Sequence, residues 1–158
     1  MAIAYIALGA NLGDAALSLR EALAAVAALP DTRVTATSAF YRTAPVGLAE
    51  QPDFVNAATR LETALPPEAL LAHLLDIEDR FGRVRQQANG PRTLDLDVLL
   101  YDDLVLDTPR LTLPHPRMHL RAFVLWPLAD ISPELDIPGR GTLAAWLPAV
   151  ANQGIARL

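Results

Sequence analysis

The spacing of apolar residues along the chain predicts a strand, a helix and two further strands, followed by a second helix and a fourth strand. Residues 2–8 form a continuous apolar run typical of a buried strand, and residues 9–13, which contain two glycines, predict a turn. The Ala- and Leu-rich residues 14–29 predict a helix that a proline ends. β-Branched and aromatic residues alternate with polar ones in residues 34–42 and 54–63, which predicts an antiparallel pair of strands.

The second half of the pattern adds a helix and a strand. Residues 66–81 open on a Pro pair and repeat Leu at helical spacing, which predicts a helix with a buried stripe. Residues 94–101 predict a strand, and we expect the Asp pair after it to turn the chain into a short partner strand at residues 104–106. Further short helices are predicted at residues 120–127 and 142–150. The order β-α-β-β-α-β predicts an α+β fold, a ferredoxin-like βαββαβ sandwich with a C-terminal extension.

Residues 90–100 (GPRTLDLDVLL) hold the most informative pattern in the chain. In an extended strand Asp95 and Asp97 lie on one face, and the apolar residues lie on the other: Leu94, Leu96, Val98 and Leu100. Two carboxylates at this spacing repel unless a cation lies between them, and Mg²⁺ prefers one or two carboxylates together with phosphate oxygens. The strand therefore predicts a metal site, and the alternative is a strand with a solvated Asp face.

The basic residues narrow the chemistry further. All thirteen are Arg, so a P-loop lysine and a Schiff-base lysine are both excluded. Seven of them lie between positions 80 and 121, although the chain as a whole carries a net charge of −5. A local cluster of guanidinium groups on an acidic protein suits a small polyphosphate, whereas proteins that bind nucleic acid usually present a basic face. We therefore expect small-molecule substrates and no nucleic-acid partner.

Length and composition predict a single domain over residues 1–158, because 52% of the residues are hydrophobic and suffice for one core. The chain contains no Cys, which excludes disulfides and thiolate chemistry and fits a reducing compartment. The first residues lack the basic region of a signal peptide, and no apolar run reaches the roughly 20 residues of a membrane span. We expect a cytoplasmic protein without membrane contact.

Several motifs follow one another in the order found in one enzyme family. They are residues 4–12 (AYIALGANL), 38–45 (SAFYRTAP), 51–57 (QPDFVNA), 82–85 (GRVR), 90–97 (GPRTLDLD), 114–116 (PHP) and 121–128 (RAFVLWPL). With these motifs the chain resembles 6-hydroxymethyl-7,8-dihydropterin pyrophosphokinase nearly from end to end. The resemblance implies an enzyme of folate biosynthesis that transfers pyrophosphate from ATP to the pterin hydroxymethyl oxygen and releases AMP. It also implies two Mg²⁺ ions, held by Asp95 and Asp97.

The resemblance implies roles for further residues, position by position. Arg83 and Arg92 match catalytic arginines that neutralise phosphate charge when the loop at residues 82–93 closes as a lid. Residues implied to bind ATP are Leu71, Arg85, Val98, Arg110, Thr112, His115 and Arg121. Residues implied to bind the pterin are Thr43, Pro45, Val46, Phe54, Asn56 and Phe123. The two Phe rings would stack on the pterin, while the Asn56 amide would supply a donor and an acceptor in one plane.

The chain departs from the family pattern in the predicted lid and in the pterin pocket. Asn89 stands where many members have Trp, and Phe54 stands where Tyr is frequent, so both changes are expected to tune substrate affinity. Two other functions are considered beside the transferase. One is a ferredoxin-like module that binds nucleotide or single-stranded RNA without catalysis, which the low aromatic content disfavours. The other is a metal-dependent phosphohydrolase, which would cleave ATP without a pterin acceptor.

Overall fold

The computed structural model describes residues 1–44, 52–81 and 94–158, which form a mixed α/β protein with an antiparallel main sheet. The strands of that sheet are β1 (Ala2–Ala10), β2 (Thr32–Thr37), β3 (Tyr41–Thr43), β4 (Phe54–Thr63), β5 (Asp95–Tyr101) and β10 (Ile155–Arg157). Two small sheets pair β6 (Leu106–Asp107) with β7 (Thr112–Leu113) and β8 (Asp136–Ile137) with β9 (Gly141–Thr142). The α-helices of the described ranges are α1 (Ala15–Ala27), α2 (Pro67–Arg80), α3 (Ala122–Ile131) and α4 (Leu143–Trp146).

The main sheet separates two apolar cores. β1 lies between β4 and β5, β2 and β3 pair with successive parts of the other edge of β4, and β10 pairs with β3. One face, here called the core face, packs against α1 and α2 through Ile6, Leu8, Leu61, Leu96 and Val98. The opposite face packs against α3 and α4 in a second cluster. The sheet is therefore covered on both sides, and the site described below lies on the α3 side.

Local sequence explains the boundaries of the helices on the core face. The Asp14 carboxylate accepts the backbone N–H of Leu17 at 3.1 Å and so caps α1. A proline occupies the first helical position of α2, where a missing N–H costs no intrahelical hydrogen bond. Both helices bury residues at helical spacing: Leu19, Ala22 and Val26 in α1, and Leu70, Leu74, Ile77 and Glu78 in α2.

The strand predicted over residues 34–42 is interrupted. Ser38 replaces part of the ladder with its side chain, because its hydroxyl accepts the N–H of Ala58 at 2.9 Å and donates to the carbonyl of Ala39 at 2.7 Å. Such local side-chain bonds compete with regular strand pairing. The chain therefore forms two strands, β2 and β3, that both pair with β4 in antiparallel fashion.

The predicted partner strand at residues 104–106 is wrong. The turn after β5 forms, but the Asp102 N–H donates to the carbonyl of Ile3 at 2.7 Å and its carboxylate accepts the Ile3 N–H at 2.8 Å. These bonds hold the turn against β1, and Val105 remains 71% exposed. Leu106 pairs instead with Leu113 in the small sheet β6–β7.

Two details of the main sheet also differ from the sequence prediction. The sequence predicts a turn at Gly9, whereas β1 continues through this residue and pairs it with both neighbouring strands. Strand alternation predicts Leu100 on the same face as Leu96 and Val98, but β5 contains a bulge at Leu99, since Ile6 pairs with Val98 and Tyr5 with Leu100. The extra residue turns Leu100 to the other face, where it joins the α3 cluster.

Candidate active site

Asp95 and Asp97 share one face of β5, as the alternation of the strand predicts. They pair with Gly9 and Ala7 of β1, and both carboxylate side chains belong to half-buried residues. The apolar residues between and beside them point to the core face. We call the face that carries the two Asp side chains the site face. It is also the face covered by α3.

The ends of β3 and β4 bring three predicted pterin residues to the site face. Asn56 pairs with Gly9, so its side chain and that of Asp95 flank the same glycine from two strands. Two strand spacings separate the Asn56 and Asp95 backbones, which is roughly 10 Å. The Asn56 amide is 5% exposed and donates to the Thr43 hydroxyl at 2.8 Å, which fixes the orientation of the amide plane. Phe54 pairs with Thr43 and is half-buried.

Small residues form the floor between the amide and the carboxylates. Gly9, Ala7 and Ala58 are neighbours on this face, since Ala7 pairs with Ala58 on one side and Asp97 on the other. A Cβ at position 9 would lie 2.8 Å from the Asn56 Oδ1 atom, closer than such contacts normally permit. The observed position of the amide therefore depends on a glycine at this point of β1.

The start of α3 and the segment before it supply the predicted residues Phe123, Arg121 and His115. The guanidinium carbon of Arg121 lies 5.3 Å from the centroid of the Phe123 ring, a cation–π distance. Asp95 and Arg121 both act electrostatically on His115, the carboxylate raising its pKa and the guanidinium lowering it. His115 therefore lies within electrostatic range of Asp95 and Arg121, and Arg121 lies against the Phe123 ring.

His115 is held as a neutral donor. Burial of the ring, followed by the charge of Arg121, lowers its pKa to about 4, so the imidazole is uncharged at neutral pH. Its Nδ1 accepts the backbone N–H of Arg117 at 3.1 Å, which leaves the ring proton on Nε2. The backbone of His115 is also held by hydrogen bonds. Its N–H donates to the carbonyl of Leu99 at 2.9 Å, and its carbonyl accepts a hydrogen bond from the Arg140 guanidinium at 2.7 Å.

Sequence reasoning missed two residues that shape this site. Glu78 is 1% exposed, and its carboxylate accepts the backbone N–H of Leu96 at 2.6 Å, between the two Asp residues. The sequence does contain a signal for this residue. Glu78 follows Leu70 and Leu74 at helical spacing and so falls on the buried stripe of α2. Gly9 is the second of these residues. A glycine is required there because of the contact with Asn56, which is distant in sequence.

The remaining predicted residues lie elsewhere or outside the described ranges. Val98 is 3% exposed and belongs to the core-face cluster, against which Leu71 packs. Thr112 lies in β7, and Arg110 is exposed just before it. Their ATP contacts stay predictions. Outside the described residues lie Pro45, Val46, Arg83, Arg85, Arg92, Asn89 and the predicted lid at 82–93.

The donor set of the site suits a hard divalent cation. Asp95 and Asp97 offer carboxylate oxygens, which Mg²⁺ prefers. Within residues 1–44, 52–81 and 94–158, no group of three or more His, Asp or Glu side chains gathers as a protein-only metal cluster.

Carboxylates and guanidinium groups are the parts that metal-assisted phosphoryl transfer uses, and half-buried aromatic rings offer faces on which a flat ligand can stack. The family model of 7,8-dihydro-6-hydroxymethylpterin-pyrophosphokinase (HPPK) matches residues 5–133. The chain belongs to this family, and the resemblance seen in its motifs is confirmed.

Two bacterial relatives match the sequence of this chain over nearly their full length. The chain is 48% identical to the 2-amino-4-hydroxy-6-hydroxymethyldihydropteridine pyrophosphokinase of Pseudomonas aeruginosa, over 98% of this chain and 95% of that protein. It is 42% identical to the enzyme of the same name from Haemophilus influenzae, over 100% of this chain and 99% of that protein. The predicted pyrophosphokinase activity of folate biosynthesis is thereby confirmed.

A solved structure of Plasmodium falciparum HPPK-DHPS with pteroate shares the fold, with a TM-score of 0.74 at 15% identity. The match covers 93% of this chain but only 42% of that one, so the present chain spans less than half of the length of that protein. None of the helices in the described ranges has the length and hydropathy needed to cross a membrane.

Proposed function

We propose that the chain performs the pyrophosphokinase reaction on the site face, with ATP phosphates over the Asp95/Asp97 end and the pterin over the Asn56 end. The observation that carries the proposal is the pairing of Gly9 with both Asn56 and Asp95, which puts an amide and a carboxylate on either side of one small floor. The pterin hydroxymethyl oxygen attacks the β-phosphorus of ATP, and the bond between that phosphorus and the AMP oxygen breaks. Alignment and charge neutralisation are then the main tasks of the protein.

The pterin pocket uses one amide and two aromatic rings. Thr43 holds the Asn56 amide in a fixed plane, so the amide can present a donor and an acceptor to one edge of the pterin. Phe54 on β4 and Phe123 on α3 approach the site face from the sheet and from the helix, and their rings stack on the two sides of the ligand. Pro45 and Val46, which lie outside the described residues, are proposed to complete the pocket edge.

On the nucleotide side, Asp95 and Asp97 would hold two Mg²⁺ ions together with phosphate oxygens. The ions, when bound, withdraw charge from the phosphates and hold them in line for attack. The neutral His115 donates a hydrogen bond from its Nε2–H group to an oxygen of ATP, and Arg121 adds a positive charge next to Phe123. Arg83 and Arg92 are proposed as the catalytic cations of a closing lid. Further ATP contacts are proposed for Leu71, Arg85, Val98, Arg110 and Thr112.

The fold type, the extent of the domain, the oligomeric state and the location of the protein belong to the same proposal. We assign the β-α-β-β-α-β order to the ferredoxin-like type, and we treat residues 1–158 as one pyrophosphokinase domain. The protein is proposed to act as a monomer in the cytoplasm, on small-molecule substrates only.

The test is formation of AMP from ATP and Mg²⁺, with and without 6-hydroxymethyl-7,8-dihydropterin. Pyrophosphoryl transfer predicts AMP and a pterin diphosphate only when both substrates and Mg²⁺ are present. Release of ADP or free pyrophosphate at the same rate without the pterin would instead identify a phosphohydrolase. ATP binding without turnover under all conditions would favour a binding module.

A further inference from the structure

We infer that the side chains of Tyr41, Asp130 and Arg157, here called the Asp130 clamp, position β3 and α3 around the pterin and so set the affinity for it. None of the three is a pterin contact in the proposal above. The inference rests on the proposed function, because it assumes that the pterin lies between Phe54, Asn56 and Phe123.

The clamp is a compact polar network at the far end of α3. The Tyr41 hydroxyl donates to the Asp130 carboxylate and lies 2.8 Å from both of its oxygens. The backbone N–H of Ala39 donates to Oδ2 at 3.1 Å, and Arg157 donates to Oδ1 at 3.2 Å. Asp130 lies at the surface, but its side chain is only 20% exposed, and Tyr41 is 6% exposed. Hydrogen bonds to a charged carboxylate in such surroundings are stronger than those between neutral groups.

The clamp joins the elements that carry the pterin residues. Tyr41 lies directly opposite Asn56 in the β3–β4 ladder, and Thr43, which holds the Asn56 amide, lies two residues further along β3. Asp130 belongs to α3, the helix that also carries Phe123. A shift of β3 against α3 would therefore move the amide and one aromatic ring relative to each other.

The C-terminal strand β10 completes the arrangement. Arg157 pairs with Tyr41 and Ile155 with Thr43, and the Arg157 guanidinium carbon lies 5.8 Å from the centroid of the Tyr41 ring. β10 lies beyond residue 133, where the match to the family ends. The support of Thr43 thus comes in part from a segment to which the family motifs assign no role.

The apolar contacts of α3 explain why loss of the clamp should change binding more than folding. Val124, Leu125 and Leu128 of this helix are 0 to 3% exposed in the second core, and they hold α3 on the sheet without the clamp. The polar tether then adjusts the position of a helix that is already docked. Substitution in the clamp should accordingly leave a folded protein with a displaced pocket.

The experiment compares Tyr41→Phe and Arg157→Gln with the parent enzyme in steady-state assays that vary pterin and ATP separately. Tyr41→Phe removes only the hydroxyl, and we expect the KM for the pterin to rise about tenfold, since each 1.4 kcal/mol is a factor of ten. Arg157 is 63% exposed, so Arg157→Gln should give a rise of only about twofold, which Arg157→Lys restores. The KM for ATP should stay within about twofold of the parent value in each variant.

Arg33→Gln is the matched control, because Arg33 also pairs with a carboxylate on the main sheet, Glu62, at 3.0 Å. Glu62 lies six positions along β4 from Asn56, which is roughly 20 Å at strand spacing. This variant should leave both KM values unchanged. Unchanged pterin KM values in both clamp variants, or equal rises for pterin and ATP with a lowered melting temperature, would overturn the inference. A parent enzyme that forms no AMP with the pterin would overturn the proposed function and the inference with it.

Discussion

Over residues 6–9 of β1, the two faces of the strand carry side chains of different size. On the core face Ile6 and Leu8 are 0 and 2% exposed and fill the space under α1 and α2. On the site face the neighbouring positions are Ala7 and Gly9, and the Asn56 side chain takes the space that a Cβ at Gly9 would need. One strand therefore stabilises the fold with alternate residues and contributes the small residues of the proposed site between them.

The comparison also extends to polar groups. The core face uses a buried carboxylate, Glu78, to satisfy the Leu96 N–H at the edge strand β5. The site face concentrates the amide, the carboxylate pair and the neutral imidazole that the proposed chemistry needs. Substitutions on the core face should thus reduce stability, whereas substitutions on the site face should reduce binding or turnover.

The largest effect is expected for Asp97→Ala on the site face. Loss of a ligand of Mg²⁺ should lower turnover by at least about a thousandfold, because several kcal/mol of charge stabilisation disappear and each 1.36 kcal/mol is a factor of ten. AMP formation at saturating substrates measures this, with Asp103→Ala, an exposed Asp after β5, as the control. A normal rate together with a normal melting curve would refute the metal assignment.

On the core face, Leu74→Ala should reduce the free energy of unfolding by about 2 to 5 kcal/mol, since Leu74 is fully buried and its truncation leaves a cavity. Urea denaturation measures the loss, and Leu17→Ala on the 42% exposed Leu17 of α1 is the control. Both KM values should stay at the parent level. A marked rise in either one would contradict the separation of the two faces.

Gly9→Ala tests the small floor itself. The added methyl group would meet the Asn56 Oδ1 at 2.8 Å, so the amide must move. We expect the KM for the pterin to rise about tenfold, which corresponds to roughly 1.4 kcal/mol. Gly154→Ala is the matched control, because a Cβ there meets no atom within 4 Å. Equal kinetics for the two variants would show that the amide does not need the glycine.

The smallest effect concerns the pH dependence of stability through His115. Its pKa is about 4 in the folded protein and 6.5 in an unfolded chain, so the unfolded chain takes up the proton first as the pH falls. The contribution of the neutral ring is present above pH 6.5 and is lost between pH 6.5 and 4. The free energy of unfolding in metal-free buffer should fall between pH 7.5 and pH 4.5 in both proteins. We expect this fall to be about 1 to 2 kcal/mol smaller in His115→Gln than in the parent. Identical pH dependence in both proteins would contradict the burial of a neutral imidazole.

Sequence patterns predicted the parts of this architecture that depend on neighbouring residues. Alternation put Asp95 and Asp97 on one face, and helical spacing found the buried stripe of α2. The motifs added Asn56, Phe54 and Phe123, which the fold brings to the same face of the sheet. Phe123 lies far from Phe54 and Asn56 in the chain, and only the family resemblance connected it with them beforehand.

The features that the patterns missed depend on partners distant in sequence. Ser38 interrupts a strand because its hydroxyl finds the backbone of Ala58, and Gly9 is required because of Asn56. The turn at Asp102 forms hydrogen bonds with β1 and does not lead into a hairpin, because the backbone of Ile3 offers both a donor and an acceptor. In each case a tertiary hydrogen bond or close contact outweighs the local preference.

The bulge at Leu99 has a consequence for changes of chain length. Between Asp95 and Val98, an insertion or deletion of one residue would turn the carboxylates into the apolar core, because side chains alternate along a strand. At Leu99 the strand already holds one residue more than its partner, and the side chains of Leu99 and Leu100 both enter the α3 cluster. A change of length at Leu99 should therefore leave Asp95 and Asp97 on the site face, although loss of the buried Leu99 side chain would still lower the stability.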